Sequence, residues 1–341
     1  MRRYPTLSTE MPSIVSERPV IGITMGDAAG IGPEIVLKAL LDRNLRAACR
    51  CVIIGDAALL RKTADVYRLE LKLTEFGADA DNDEVEVYDL NNLPQEFAIG
   101  VDAAVTGKAS AEYIEAAVAL WREGKIDAIC TAPISKKAIG LGGYDFPGHT
   151  EFLAEMTATK EFAMSFFADK LRVVLLSTHL PLLKAIDLIK KDALADVIKF
   201  ADRELAKLLG RKVTIAVAGL NPHASEGGMF GSEEQDEIKP AIDACRSLGI
   251  EVSGPYSPDT IFLRGFQGDF DGVIALYHDQ ATIAVKSLSF GSGVNVTLGL
   301  PLIRTSVDHG TAYDIAGKGT ADASSMVAAI RLAGELAMGS R

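Results

Sequence analysis

The chain has few cysteines, a single tryptophan and no long apolar run, and these shortages narrow what kind of protein it can be. Its four cysteines, Cys49, Cys51, Cys130 and Cys245, show neither the paired CxxC spacing of a structural zinc site nor the density of a disulfide framework. They read as reduced, buried thiols of a cytoplasmic protein. No apolar stretch approaches the roughly 20 residues needed to span a bilayer. The first 18 residues hold Arg2 and Arg3 but no apolar h-region, so they read as a flexible leader, with Met11 as an alternative start. Positive charge is also short. Against 46 acidic residues stand 35 Lys and Arg, and the net charge of −11 argues against a general nucleic-acid binder. An anionic ligand is still allowed, because salt screens charges beyond about 8 Å and a local basic cluster can govern a pocket.

What is present fits a glycine-punctuated α/β enzyme. Hydrophobic residues make up 48% and charged residues 24%, with 31 glycines in 341 residues, enough for two subdomains. Short apolar runs alternate with helical patterns. Strands are expected at Pro19–Met25, Cys51–Ile54, Val85–Leu90, Asp127–Thr131, Phe162–Ala168, Leu171–Ser177, Val213–Ala218 and Gly272–Leu276. Helices are expected from Pro33 to about Asn44, over Ala57–Tyr67, Ser110–Arg122, Ala193–Leu209 and Glu233–Leu248, and from Thr150 onward. Asp79–Glu86 reads as a variable acidic stretch. The alternation predicts a doubly wound α/β/α architecture. Its approximate divisions are a leader at 1–18, one subdomain of 19–140 plus 317–341, and a second of 141–316.

Residues 275–322 concentrate the groups able to do chemistry. Tyr277-His278-Asp279-Gln280 follows a strand, where α/β sheets present their ligands. Lys286, Asn295 and Arg304 are donors suited to an anion such as phosphate. Asp308-His309-Gly310-Thr311 leads into a glycine-rich turn around Gly317 and Gly319, a shaped loop. This stretch reads as an active site, not a core. Upstream, Gly26–Gly32 is a strand-to-helix turn without the GxGxxG pattern of a Rossmann unit. Lys136 stands just past a strand end, either a site lysine or a solvated one.

All five histidines, His149, His179, His223, His278 and His309, fall in loops or at strand ends, and none is expected on a helix face. His179, His223 and His278 each end a separate strand, and such ends converge on one edge of a parallel sheet. Three imidazoles leave positions open for substrate, as at a catalytic divalent metal. Asp259 and Asp279 could orient those rings, bind the metal or act as bases.

Together, GDAAGIGPEI (26–35), TAPISKKAI (131–139), PGHTEFLAE (147–155), STHLPL (177–182), GLNPHASEGG (219–228), YHDQ (277–280) and GVNVTLGLPLIRTSVDHGTAYDIAGKG (293–319) resemble the 4-hydroxythreonine-4-phosphate dehydrogenase family of pyridoxal phosphate (vitamin B6) biosynthesis. The match runs through nearly the whole chain after the leader. The last motif is also similar to the HGxAxDIAGxG loop that holds the adenosine part of the cofactor in isocitrate and isopropylmalate dehydrogenases. The resemblance implies their fold: two subdomains and a mixed sheet with helices on both faces. It places metal ligands at His179, His223 and His278, contributed across a homodimer interface, and substrate contacts at His149, Thr150, Lys286, Asn295 and Arg304. Cofactor contacts fall on Asp308, His309, Gly310, Thr311, Asp314 and Gly317. Two departures are Ala28, where proline is usual, and Ser135-Lys136-Lys137, where Asn-Lys-Glu is frequent.

The implied reaction is oxidation of 4-phosphooxy-L-threonine at C3 by NAD or NADP, with one divalent metal (Zn, Mg, Co or Mn), followed by decarboxylation to 3-amino-2-oxopropyl phosphate. The catalytic candidates are Lys286, Asp259, Asp279 and Lys136, and the proton acceptor stays open among the last three. Relatives acting on threonate or erythronate 4-phosphate supply the competing substrates, and more distant ones act on aromatic dihydrodiols. A phosphate acyltransferase is the alternative from another enzyme class, and a non-catalytic phosphate or metal binder a third.

Overall fold

The structure is a computed structural model describing residues 18–78, 84–289 and 293–339. Nearly all of the expected leader, and Asp79–Asp83 of the acidic stretch, lie outside the described residues. The chain begins with β1 (Val20–Thr24), α1 (Gly32–Ala39), α2 (Arg43–Ala48), β2 (Arg50–Gly55), α3 (Ala57–Tyr67), β3 (Lys72–Glu75), β4 (Glu84–Asp89), α4 (Ala104–Arg122) and β5 (Ala128–Thr131). It continues through α5 (Lys136–Leu141), α6 (His149–Met156), β6 (Ala163–Ala168), β7 (Leu171–Leu175), α7 (Leu182–Asp187), α8 (Lys191–Leu209) and β8 (Ile215–Ala218). The last third holds α9 (Lys239–Ser247), β9 (Val252–Tyr256), α10 (Pro258–Gln267), β10 (Gly272–Ala275), α11 (His278–Ser289), β11 (Val294–Leu298), β12 (Ile303–Ser306) and α12 (Ser324–Gly339).

All the strands join one mixed sheet of order β3-β4-β2-β1-β5-β12-β11-β6-β7-β10-β8-β9. From β3 to β12 the neighbours are parallel, and from β7 to β9 they are parallel again. Between these blocks the pairs β12–β11, β11–β6 and β6–β7 are antiparallel, so the blocks run in opposite directions. Alternation along the strands shows both faces covered. Phe166, Val173 and Leu175 pack with Ile261 and Phe262 of α10 and with Ala281 and Val285 of α11. Their neighbours Phe167 and Val174, with Ile215, Val217 and Ile274, face the other core with Leu194, Ile198 and Leu205 of α8. The four cysteines are free and buried, as expected. No helix among the described residues is long and apolar enough to cross a membrane.

Several expectations need correction. The region 275–322 is not free of core: β11 and β12 are central strands, with Val294, Val296 and Leu298 buried. Two histidines open helices, His149 at the start of α6 and His278 at the start of α11. The helix expected over Glu233–Leu248 is split into a π-helical turn, Glu234–Ile238, and then α9. Pro240 explains the split, because it lacks an N–H and its ring crowds the carbonyl four residues back. Besides β11 and β12, the edge strands β3 and β9 are not among the expected ones. Strand β3 is short and half-polar, and β9 contains Gly254-Pro255, which reads as a turn.

Candidate active site

The turns after β7, β10 and β8 lie side by side because those strands are neighbours in that order. Side chains stitch the turns together. Ser177 Oγ donates to the Leu276 carbonyl at 2.9 Å, joining the end of β7 to that of β10. Gln280 Oε1 accepts from the Leu276 amide and Gln280 Nε2 donates to the Gly219 carbonyl, both at 2.8 Å, which joins β10 to β8. His179 and His278 come to 5.6 Å between ring centroids. His278 Nδ1 meets Asp279 Oδ1 at 2.7 Å, and His223 Nδ1 meets Glu226 Oε1 at 3.0 Å. A carboxylate that accepts from Nδ1–H leaves Nε2 as the nitrogen with a free lone pair, the usual preparation of a metal-binding imidazole. The donor chemistry therefore fits a divalent metal. A single chain does not close the group: among the described residues no three His, Cys, Asp or Glu side chains stand together as a metal site.

His223 lies in a turn where four consecutive non-glycine residues, His223, Ala224, Ser225 and Glu226, take left-handed φ of 54°, 53°, 66° and 45°. Each such residue costs about 1–2 kcal/mol. Glu234 offsets part of that cost by accepting from the amides of Leu220 and Asn221 at 2.8 and 2.7 Å. Strain held by its surroundings in this way is typical of functional turns.

A cavity of about 700 Å³ opens beside His179, lined also by Thr131, Lys136, His149, Thr150, Glu151, Ser306, His309 and Gly310. It lies where the sheet reverses direction. Arg304 and Ser306 share a face of β12, and Asn295, paired with Ser306, shares it on β11. Asn295 and Arg304 line the cavity too.

Arg304 is buried, with Nη1 donating to Thr297 Oγ1 at 3.1 Å and Nη2 to Thr131 Oγ1 at 2.9 Å. No ion pair of Arg304 with an acid occurs among the described residues, and its Nε has no partner. Burial pushes the guanidinium down to about 10. His149 Nε2 and Asn295 Oδ1 are likewise buried and unpaired. Burial first, and the charge of Arg304 second, hold the His149 imidazole well below its usual range, so it is neutral. Buried polar atoms left unpaired are costly unless a ligand or water completes them. A buried cationic group with an unpaired N–H of its own, the Nε of Arg304, makes an anion subsite.

The remaining expected residues are dispersed. Lys286, on α11, does not line this cavity and pairs with Asp308 Oδ2 at 2.9 Å. Asp259 opens α10 and accepts from Ser257 Oγ at 2.5 Å, outside the cavity wall. Asp314 is exposed, and Gly317 and Gly319 take φ of 79° and 70°, as a glycine-shaped loop requires. This loop is fastened to the first turn of the chain. Thr311 O accepts from the Ile31 amide at 3.0 Å, Tyr313 OH donates to Asp27 Oδ2 at 2.6 Å, and Lys38 Nζ donates to the carbonyls of Gly319 and Ala321 at 2.9 Å. Thr131, Glu151, Ser177 and Ser306 were not foreseen as site residues. The available signal was a polar side chain at the end of an otherwise apolar strand, as at Thr131.

Residues 47–333 match the family described as pyridoxal phosphate biosynthetic protein PdxA, and the chain belongs to that family. It is 48% identical to the D-threonate 4-phosphate dehydrogenase of Cupriavidus necator, over 94% of this chain and 97% of that one. It is 45% identical to the 4-hydroxythreonine-4-phosphate dehydrogenase of Desulforapulum autotrophicum, over 94% and 96%. Among solved structures, the 4-hydroxythreonine-4-phosphate dehydrogenase of Klebsiella pneumoniae superposes with a TM-score of 0.86 at 42% identity, covering 94% of this chain and 98% of that one.

Proposed function

We propose that this protein is a cytoplasmic, NAD- or NADP-linked dehydrogenase of a four-carbon hydroxy acid phosphate, 4-phosphooxy-L-threonine or the related threonate or erythronate 4-phosphate. The observation that carries the reading is the buried Arg304, without an ion pair among the described residues although Glu151 lines the same cavity, beside the unpaired Nε2 of His149 and Oδ1 of Asn295. A phosphate monoester completes all three environments if, as the monoanion, it turns its proton toward Asn295, or if, as the dianion, a water bridges the two oxygens. Thr150 Oγ1, 3.4 Å from Thr297 Oγ1, opens α6 beside them and adds a hydroxyl to the same wall.

Held by its phosphate, the substrate presents its C3 hydroxyl to the edge carrying His179 and His278, and fixed geometry replaces a random encounter. When bound, NAD or NADP accepts the hydride and a divalent cation supplies Lewis acidity to the C3 oxygen. His179 and His278 of one chain would hold that cation together with His223 of a second copy, and Asp279 and Glu226 fix the imidazole tautomers. The oxidised product is a β-keto acid, which loses CO2 readily. His309, Gly310 and Thr311, with Asp308, Asp314 and Gly317, form the dinucleotide-binding loop beside the cavity. A homodimer is supported by exposed apolar side chains flanking the histidine turns, Leu183 (77%) and Met229 (76%) above all, with Leu180, Leu182, Phe230 and Ile283 near them in sequence.

The test is a spectrophotometric screen of 4-phosphorylated threonine, threonate and erythronate with both dinucleotides, accompanied by analysis of bound metal. Reduction of a dinucleotide by one of the three supports the reading. Transfer of an acyl group to phosphate, with no absorbance change at the reduced-nicotinamide wavelength, would replace it with the acyltransferase alternative.

A further inference from the structure

The two neighbours of Lys136 turn to a single carboxylate. Ser135 Oγ donates to Asp102 Oδ1, and Lys137 Nζ lies 3.4 Å from Asp102 Oδ2. Ser135 Oγ also caps α5 by accepting from the Ala138 amide at 3.1 Å. Behind this turn α4 passes so close that a Cβ on Gly107 would stand 1.8 Å from the Ala138 carbonyl oxygen. The first turn of α5 is therefore fixed on both sides.

Lys136 does not join the Asp102 cluster. It lines the cavity, with its Cε 3.7 Å from where a Cβ on Gly148 would lie. Its ammonium has no hydrogen-bond or ion-pair partner among the described residues. The cavity thus carries two separate cationic groups on different elements, Arg304 in the sheet and Lys136 on a helix start. A four-carbon hydroxy acid phosphate is anionic at both ends, and one cation cannot serve both.

We propose that Lys136 binds the carboxylate end of the substrate while Arg304 takes the phosphate end, and that Asp102 is the positioning residue aiming Lys136 by anchoring Ser135 and Lys137. This assignment rests on the function proposed above and deepens it: the protein selects a terminal carboxylate over an alcohol. It also gives Lys136 a role other than proton acceptor.

The experiment compares, by titration calorimetry on the full chain, 4-phosphothreonate with the analogue in which CH2OH replaces the carboxylate. The unmodified protein is expected to prefer the acid about 10- to 100-fold, the range for a hydrogen bond to a charged group. In Lys136→Met the preference falls to within about threefold, Lys136→Arg restores part of it, and Asp102→Asn lies between. An unchanged preference in Lys136→Met overturns the proposal, as does a kcat loss of about 100-fold with unchanged affinity and a lost limb of the pH profile, which would mark a base. A protein that binds the acid but reduces no dinucleotide sinks the dehydrogenase reading, while the acid-to-alcohol ratio still decides the role of Lys136.

Discussion

Nε2 of His149 and the guanidinium of Arg304 are buried in the wall of one cavity, and the charge of the second reinforces the neutrality that burial imposes on the first. A folded pKa below the unfolded value means that the unfolded chain binds more protons over the interval between the two. Stability contributed by neutral His149 is therefore present above its ordinary value of 6.5 and is lost as pH falls below it. The expected slope is up to about 1.4 kcal/mol per pH unit. Denaturant titrations of the unmodified protein and His149→Gln between pH 7 and 5 check this. The variant should lose less stability on acidification, and equal losses would contradict the assignment.

Arg304→Met should separate binding from stability. The side chain is buried and makes no ion pair among the described residues, so replacing it with an apolar one of similar length should leave the melting temperature unchanged or raise it. Affinity for inorganic phosphate, measured by calorimetry, should fall at least about 100-fold, near the 3 kcal/mol of a charged hydrogen-bonded contact. A large loss of stability with intact phosphate binding would show that the guanidinium is structural.

Gln280→Leu should loosen the edge that carries the histidines. It leaves the Leu276 amide and the Gly219 carbonyl without their partners, and Gln280 is buried. A cost of about 2–4 kcal/mol is expected in chemical denaturation. The same variant should bind divalent metal more weakly, because the β8 and β10 turns are no longer tied. Unchanged stability would mean that water replaces both bonds at no cost.

Gly107→Ala should be among the most damaging small substitutions in the chain. The added methyl would meet backbone, the Ala138 carbonyl and the Ile139 amide, not a flexible side-chain end. Overpacking of about 1–3 kcal/mol is expected. Because α5 must shift to make room, affinity for a substrate carboxylate should fall alongside stability. A variant of normal stability would show that α4 and α5 separate easily.

The sequence carried buried parallel strands such as Cys51–Ile54, which read as continuous apolar runs, and Ala57–Tyr67, which has both its cap and its spacing, but not β11 and β12 or the helices α10, α11 and α12. It could not show that β11 and β12 reverse the sheet, since Asn295 and Arg304 look like loop donors until their neighbours Val294, Val296 and Thr305 are seen buried on the opposite face. Strand-end positions of His179, His223 and His278 were legible, yet their mutual distances were not, because β7, β10 and β8 are far apart in sequence and meet only through sheet order. Both side-chain chemistry and the family resemblance group Lys286 with Asn295 and Arg304. Within a single chain helix α11 brings it to Asp308. The anchoring of Lys136 by Asp102 joins residues 33 to 35 positions apart, beyond any local pattern.

The most direct test of the central claim is the rate of dinucleotide reduction by the metal-loaded protein with 4-phosphothreonine or 4-phosphothreonate and with the same acids lacking phosphate. The account predicts kcat/KM at least about 100-fold higher for a phosphorylated acid, a preference that Arg304→Met abolishes. Equal rates with and without phosphate, or a preference that survives in Arg304→Met, would contradict it.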